Sequence, residues 1–221
     1  MEEAQHAYRR ALSLPDAEDG SAAGKGLKSA LLYHLAHSYL LADTVGGRLA
    51  EALEAAMAAT EVAPTEAKAW LIRGLVHERL ADLDAAVRCY DRGAREQPSV
   101  VGNWYNLALL LGKVGRWQGS LDAAEGGLAA SPGHAAGWVA RGNAQRGLSK
   151  QVQDDESSRK TGQPERWLLA DALESYRAAA RAAPRHVAAW HNQGVVLHEL
   201  RREQESTAAL SRARALEKRQ P

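Results

Sequence analysis

Pro98-Ser99-Val100-Val101-Gly102-Asn103-Trp104-Tyr105-Asn106-Leu107-Ala108 decides how the chain is read, because its anchors recur at a fixed interval. Trp70, Trp104 and Trp138 are spaced by 34 residues, and Trp190 follows after 52, one interval lengthened by 18. Pro64, Pro98 and Pro132 keep the same 34-residue spacing, and Pro184 again follows after 52. Two residue types that share a period and slip together at one place mark a repeated structural unit.

The finer pattern around these anchors also repeats. The opening segments read Trp70-x-x-Arg73-Gly74-x-x-His77, Trp104-x-x-Leu107-Ala108-x-x-Leu111, Trp138-x-x-Arg141-Gly142-x-x-Gln145 and Trp190-x-x-Gln193-Gly194-x-x-Leu197. Later in each unit a small residue precedes a larger one, clearly in Ala86-x-x-x-Tyr90 and Ala172-x-x-x-Tyr176, more weakly in Ser120-x-x-x-Ala124 and Ser206-x-x-x-Leu210. An earlier unit lacks Trp but keeps Leu32-x-x-Leu35-Ala36-x-x-Tyr39, Ala52-x-x-x-Ala56 and Pro64. Ala4-x-x-x-Tyr8 with Pro15 reads as a second helix without its first.

In these motifs the chain resembles the tetratricopeptide repeat family over nearly its whole length. The resemblance implies an all-α fold, a right-handed α-solenoid of stacked antiparallel helix pairs (about five, behind one lone N-terminal helix) with a concave groove. The expected organisation is a single domain over 1–221. A lone helix at 1–15 precedes repeats at 27–64, 67–98, 101–132, 135–184 and 187–218, the fourth carrying an 18-residue insertion near 148–164.

The pattern has a physical basis. Gly74, Gly142, Gly194, Ala86 and Ala172 are small enough to let paired helices approach, and the Trp and Tyr rings fill the space beside them, burying about 150–250 Å² each. Proline after the second helix ends it, lacking an amide donor. One pair cannot bury its apolar face alone, so pairs must stack. Three stretches depart from the pattern. Residues 15–26 read as a flexible Gly-rich connection, and Ala42 to Gly47 lengthens the turn inside the first full pair. The insertion, from Gln151 to Gln163, is polar and is expected to project as a loop until Pro164 opens the next helix. At the far end Ala209, Leu210, Ala213 and Leu216 form one apolar stripe in a charged segment, which suits a capping helix.

Composition narrows the function classes. Lys and Arg total 28 against 27 Asp and Glu, a formal net charge of +1. That is too little basic excess for ordinary phosphate neutralisation, so nucleic-acid binding is disfavoured and an RNA-binding helical repeat stands only as the alternative. A single cysteine, Cys89, allows no internal disulfide and fits a reducing compartment. No run of 18 apolar residues and no secretory signal are present, so the expectation is a soluble intracellular, cytoplasmic protein without membrane insertion.

Fragments that resemble chemistry fail on their details. Gly20-Ser21-Ala22-Ala23-Gly24-Lys25-Gly26 is too short for a phosphate loop and lacks the hydroxyl after its lysine. His34 and His37 lie one turn apart with no carboxylate or thiol nearby to complete a metal site. His77-Glu78 and His198-Glu199 start like zinc-protease motifs, but Ala81 and Arg202 replace the second histidine. Asp154, Asp155 and Glu156 read as a solvated charge run, and Cys89 as a buried thiol. The expectation is no enzyme, no cofactor and no metal site.

What remains is protein recognition. The resemblance places the first helix of each pair on the groove, which makes Lys68, Leu71, Ile72, Arg79, Tyr105, Asn106, Leu109, Lys113, Asn143, Arg146, His191, Asn192 and Val195 the candidate partner-binding residues. Leu75, Val139 and His198 join them, with Tyr33, His34 and His37 at the N-terminal end. Asn106 and Asn192 stand out, because each lies two residues after a Trp, where related repeats use Asn to bond a peptide backbone; an amide both donates and accepts. The carboxylate clamp that grips heat-shock chaperone C-terminal tails is incomplete. Leu71, Tyr105, Val139 and His191 hold its first Lys position, so such tails are disfavoured. The expected function is a non-catalytic scaffold or adaptor for an extended or helical segment of a protein partner, as a subunit or assembly factor of a larger complex.

Overall fold

The computed structural model describes residues 2–14, 20–42, 47–154 and 164–219. Eleven helices account for most of them, and no strand occurs among the described residues. In chain order they are α1 (Glu2–Leu12), α2 (Ala22–Ala42), α3 (Leu49–Val62), α4 (Ala67–Arg79), α5 (Leu83–Glu96) and α6 (Val101–Lys113). They continue as α7 (Trp117–Ala130), α8 (Ala135–Asp154), α9 (Pro164–Ala182), α10 (Val187–Glu199) and α11 (Glu203–Glu217). Contacts group the chain into two compact units, residues 1–104 and 105–221. Each is a run of packed helix pairs behind short connections, the local architecture of an α-solenoid. None of these helices is long and apolar enough to cross a membrane.

The shared period of Trp and Pro has a direct cause. In each of the four Trp-bearing repeats the indole Nε1 donates to the carbonyl of the proline six residues earlier. The distances are 2.7 Å for Trp70–Pro64, 3.1 Å for Trp104–Pro98, 2.7 Å for Trp138–Pro132 and 2.9 Å for Trp190–Pro184. The bond fastens the start of a first helix to the end of the preceding second helix. The rings are only half-buried, so they clasp the joint rather than fill the centre, as their periodicity had suggested. Arg73 and Arg141 lie over Trp70 and Trp138 at 5.6 and 5.8 Å from the ring centroids, which places the guanidinium against the π-face.

The centre of each pair is built by size matching. A Cβ added at Gly74 would come within 3.0 Å of the Tyr90 ring, one at Gly142 within 3.0 Å of Tyr176, and one at Gly194 within 3.0 Å of Leu210. Tyr90 and Tyr176 are the largest side chains among those fully buried. The α6/α7 pair puts Ala108 and Ala124 in the same places, exchanging a large-with-glycine match for two small residues. Its Ser120 Oγ donates to the Ala108 carbonyl at 2.7 Å, and Ser206 does the same to Gly194 at 2.8 Å. The small position therefore takes alanine or a serine whose hydroxyl has a helix carbonyl to bond.

Turns inside three of the pairs are equivalent. Ala81, Gly115 and Arg201 have φ of 60°, 76° and 62°, the left-handed residue that ends a first helix. The amide of the next residue then bonds back to His77, Leu111 or Leu197. Ser149 holds the same register in the fourth pair but stays helical, with its hydroxyl 3.2 Å from the Glu165 carbonyl. The insertion is thus partly helix: α8 runs on to Asp154, and α9 starts at Pro164, ahead of the position where other second helices begin. Residues 155–163, expected as a projecting loop, lie outside the described residues.

The N-terminal region departs from expectation too. Helix α2 begins at Ala22 rather than after the Gly-rich stretch, and Ser21 Oγ accepts from the Gly24 amide at 3.1 Å as its cap. Residues 15–19 and 43–46 lie outside the described residues. Helix α1 packs on α2, with Tyr8 and Leu12 against the first unit's core and buried Gln5 accepting from Arg48 at 2.6 Å.

Candidate functional site

In the second unit the first helices α6 and α8, with the start of α7, enclose a cavity of about 340 Å³. Its wall brings together four of the expected residues, Leu109, Lys113, Asn143 and Arg146, and adds Trp117, Gly147 and Lys150, which sequence reasoning missed. Trp117 is the apolar floor. Its ring lies so close to Gly147 that a Cβ there would come within 3.0 Å, and 3.4 Å from where a Cβ on Gly112 would stand. Asn143, Arg146, Gly147 and Lys150 fall three, four and seven residues apart, which is one stripe of a helix. That stripe was legible, had the polar insertion been read as a continuing helix.

Behind the cavity wall lies a polar network. Asn143 Oδ1 accepts from the Tyr176 hydroxyl at 2.8 Å and from Asn192 Nδ2 at 3.0 Å. Arg146 holds Glu199 through both carboxylate oxygens, with its nearest contact at 2.6 Å. The bond to Glu199 raises the Arg146 pKa further above its ordinary value, and burial raises that of Tyr176. This network fixes α8 to α9 and α10, so the cavity wall is held rigidly in place.

Other expected residues are distributed differently. Ile72 is 0% exposed and belongs to the first unit's core with Leu35, Tyr39 and Val76, so its placement on the groove is corrected. The position two residues after Trp points inward: Ala140 is buried as well, and Asn106 and Asn192 are half-buried. Asn192 spends its donor on Asn143, whereas Asn106 makes no hydrogen bond through its side chain among the described residues. Tyr105 packs edge-on against His134 at 5.7 Å. His191 is exposed and Val195 half-buried, and neither lines the cavity.

In the first unit Lys68 and Arg79 are exposed, and Leu71 packs half-buried beneath Gly102. Lys68 joins Tyr33, His34 and Glu66 around a second cavity of about 430 Å³. His34 stacks on Tyr8 and His37 on Tyr33, at 5.8 and 6.2 Å between centroids. No group of three or more potential metal ligands occurs among the described residues. Cys89 is buried, and burial pushes its thiol pKa up.

Comparison with known proteins adds to this geometry. The family described as tetratricopeptide repeat matches residues 45–100 and 169–220. Among curated proteins none matches the sequence. Several solved structures are similar. MamA from Desulfovibrio magneticus has 18% identity and a TM-score of 0.66, covering 87% of this chain and 97% of that one. YrrB, a repeat protein with an unusual peptide-binding site, has 15% identity and a TM-score of 0.63, covering 97% of this chain and 94% of its own. A thermophilic protein of the same repeat type from Thermus thermophilus has 26% identity and a TM-score of 0.56, covering 69% of this chain and 75% of that one.

Proposed function

The chain belongs to the tetratricopeptide repeat family, and from that premise we propose that it is a non-catalytic scaffold holding a segment of a partner protein against the first helices of its repeats. The observation that carries this reading is the cavity between α6 and α8. It is a preformed recess whose floor is an aromatic ring and whose rim is polar, the lining of a recognition site. Leu109, 41% exposed at its edge, offers an apolar anchor. The Asn143–Tyr176–Asn192 network keeps the wall rigid, which lowers the ordering cost of binding. A lone thiol buried at Cys89 suits a reducing compartment.

Affinity capture of the tagged chain from its native lysate tests the reading, with an Asn106→Ala/Leu109→Ala variant run in parallel. Both side chains stand on α6 and neither has a hydrogen-bonding role, so the fold is retained. A single protein recovered in near-equal amount by the native chain and lost from the variant is the expected result. Equal recovery by both chains, or recovery of RNA alone, contradicts it.

A further inference from the structure

The cavity of the second unit carries uncompensated charge. Its wall holds three cations, Lys113, Arg146 and Lys150, and no carboxylate. Arg146 is neutralised by Glu199. Lys113 and Lys150 are both exposed, and neither makes a hydrogen bond or ion pair among the described residues. Two free ammonium groups therefore flank an apolar floor of Trp117 and Leu109.

The insertion builds half of this arrangement. In the other Trp-bearing pairs the first helix ends at Ala81, Gly115 or Arg201 in the left-handed conformation. At the equivalent Ser149 the helix continues, and Lys150 is carried onto the face that already holds Asn143 and Arg146. The lysine belongs to the lengthened repeat alone, and with Lys113 of the preceding first helix it makes a pair of positive rims.

The geometry points to an acidic peptide as the occupant, with carboxylates paired to Lys113 and Lys150 and an apolar side chain between them on Trp117 and Leu109. Asn143 would face the peptide backbone. This inference rests on the proposed function and specifies its partner's chemistry. A volume of about 340 Å³ suits a few side chains, and charge complementarity sets the sign of the ligand. Nucleic acid fits less well, because a net charge of +1 supplies no extended basic surface for a phosphate backbone.

The test uses the full chain and a fluorescein-labelled peptide alternating Glu with Leu, followed by fluorescence anisotropy at low and high salt. A Gln-with-Leu peptide and a labelled oligouridylate are the comparisons. The Lys113→Glu/Lys150→Glu variant is set against Lys25→Glu/Lys218→Glu, which changes the net charge equally on exposed lysines that do not line the cavity. Two partly desolvated charge pairs predict binding about tenfold tighter for the Glu peptide than for the Gln peptide, weakening with salt. The same loss is expected in Lys113→Glu/Lys150→Glu, against a change within about twofold in the control variant. Equal affinity for the two peptides, equal loss in both variants, or tighter lysine-dependent binding of the oligouridylate overturns the inference. If Lys113→Glu/Lys150→Glu still captures the partner that Asn106→Ala/Leu109→Ala loses, the acidic assignment fails and the scaffold reading stands. If neither variant loses a protein partner, the scaffold reading fails too.

Discussion

Replacing Gly142 by Ala adds one methyl group where the second unit has least room for it. The new Cβ would lie 2.6 Å from Tyr176 Cε1 and 2.8 Å from Cζ, against the 3.0 Å that real Cβ contacts respect. The ring cannot swing aside, because Tyr176 is wholly buried and its hydroxyl is bonded to Asn143. Overpacking of this kind costs about 1–3 kcal/mol. Better helix propensity of Ala over Gly returns about 0.5–1 kcal/mol. The net expectation is a destabilisation of about 1 kcal/mol and at most about 2.5 kcal/mol, or about 2–10 °C in Tm for a chain of this size. Urea denaturation followed by circular dichroism measures it. Ala108 facing Ala124 shows how the chain accommodates a methyl group there, so Gly142→Ala/Tyr176→Leu should recover part of the loss. A Gly142→Ala midpoint at or above that of the native chain refutes the size-matching argument.

Other perturbations separate the remaining forces. Gly26→Ala, at an exposed position of α2 with nothing within 4 Å of the new methyl, should stabilise by about 0.5–1 kcal/mol, opposite in sign to Gly142→Ala; thermal melting reads it. Trp138→Phe removes the 2.7 Å bond to the Pro132 carbonyl and should lower the urea-derived stability by about 0.5–1.5 kcal/mol, towards the lower figure because the ring is half-exposed. His77 has its pKa lowered from 6.5, chiefly by burial and with help from Arg73 and Arg88, against the opposing charge of Asp82. Its neutral form is favoured in the fold, so the unfolded chain takes the proton first. Stability is complete above pH 6.5 and is lost as pH falls through the lower folded pKa. Urea midpoints at about pH 7.5 and about pH 5.5 should therefore differ less in His77→Gln than in the native chain.

Much of the fold was legible because its period is chemical. Trp and Pro repeat together since one donates to the other's carbonyl, and glycine repeats wherever a Tyr or Leu of the facing helix leaves no room for a Cβ. What was not legible came from residues with two meanings. Gly24 and Gly26 argued for a loop, yet Ser21 caps a helix that runs through both. Ile72 occupied a groove position by its offset from Trp, but that offset points inward, where a branched apolar side chain packs well. The insertion is polar, which argues for a loop. Polarity does not forbid helix: exposed Lys150, Gln151 and Gln153 extend one already nucleated by packing, and buried Ser149 bonds the Glu165 carbonyl. Lys150 was missed for that reason, and Trp117 because it opens a second helix; Leu109, Lys113, Asn143 and Arg146 line the same cavity at first-helix positions.

Photo-crosslinking from a benzoylphenylalanine placed at Leu109, compared with one at Asp122, asks which helix of a pair meets the partner. Leu109 lies on the first helix beside the cavity, and Asp122 is exposed on the second helix of the same pair. In native lysate one protein adduct is expected from Leu109, suppressed by excess Glu–Leu peptide, and none from Asp122. An adduct from Asp122 alone, or equal adducts from both positions, would contradict recognition by the first helices.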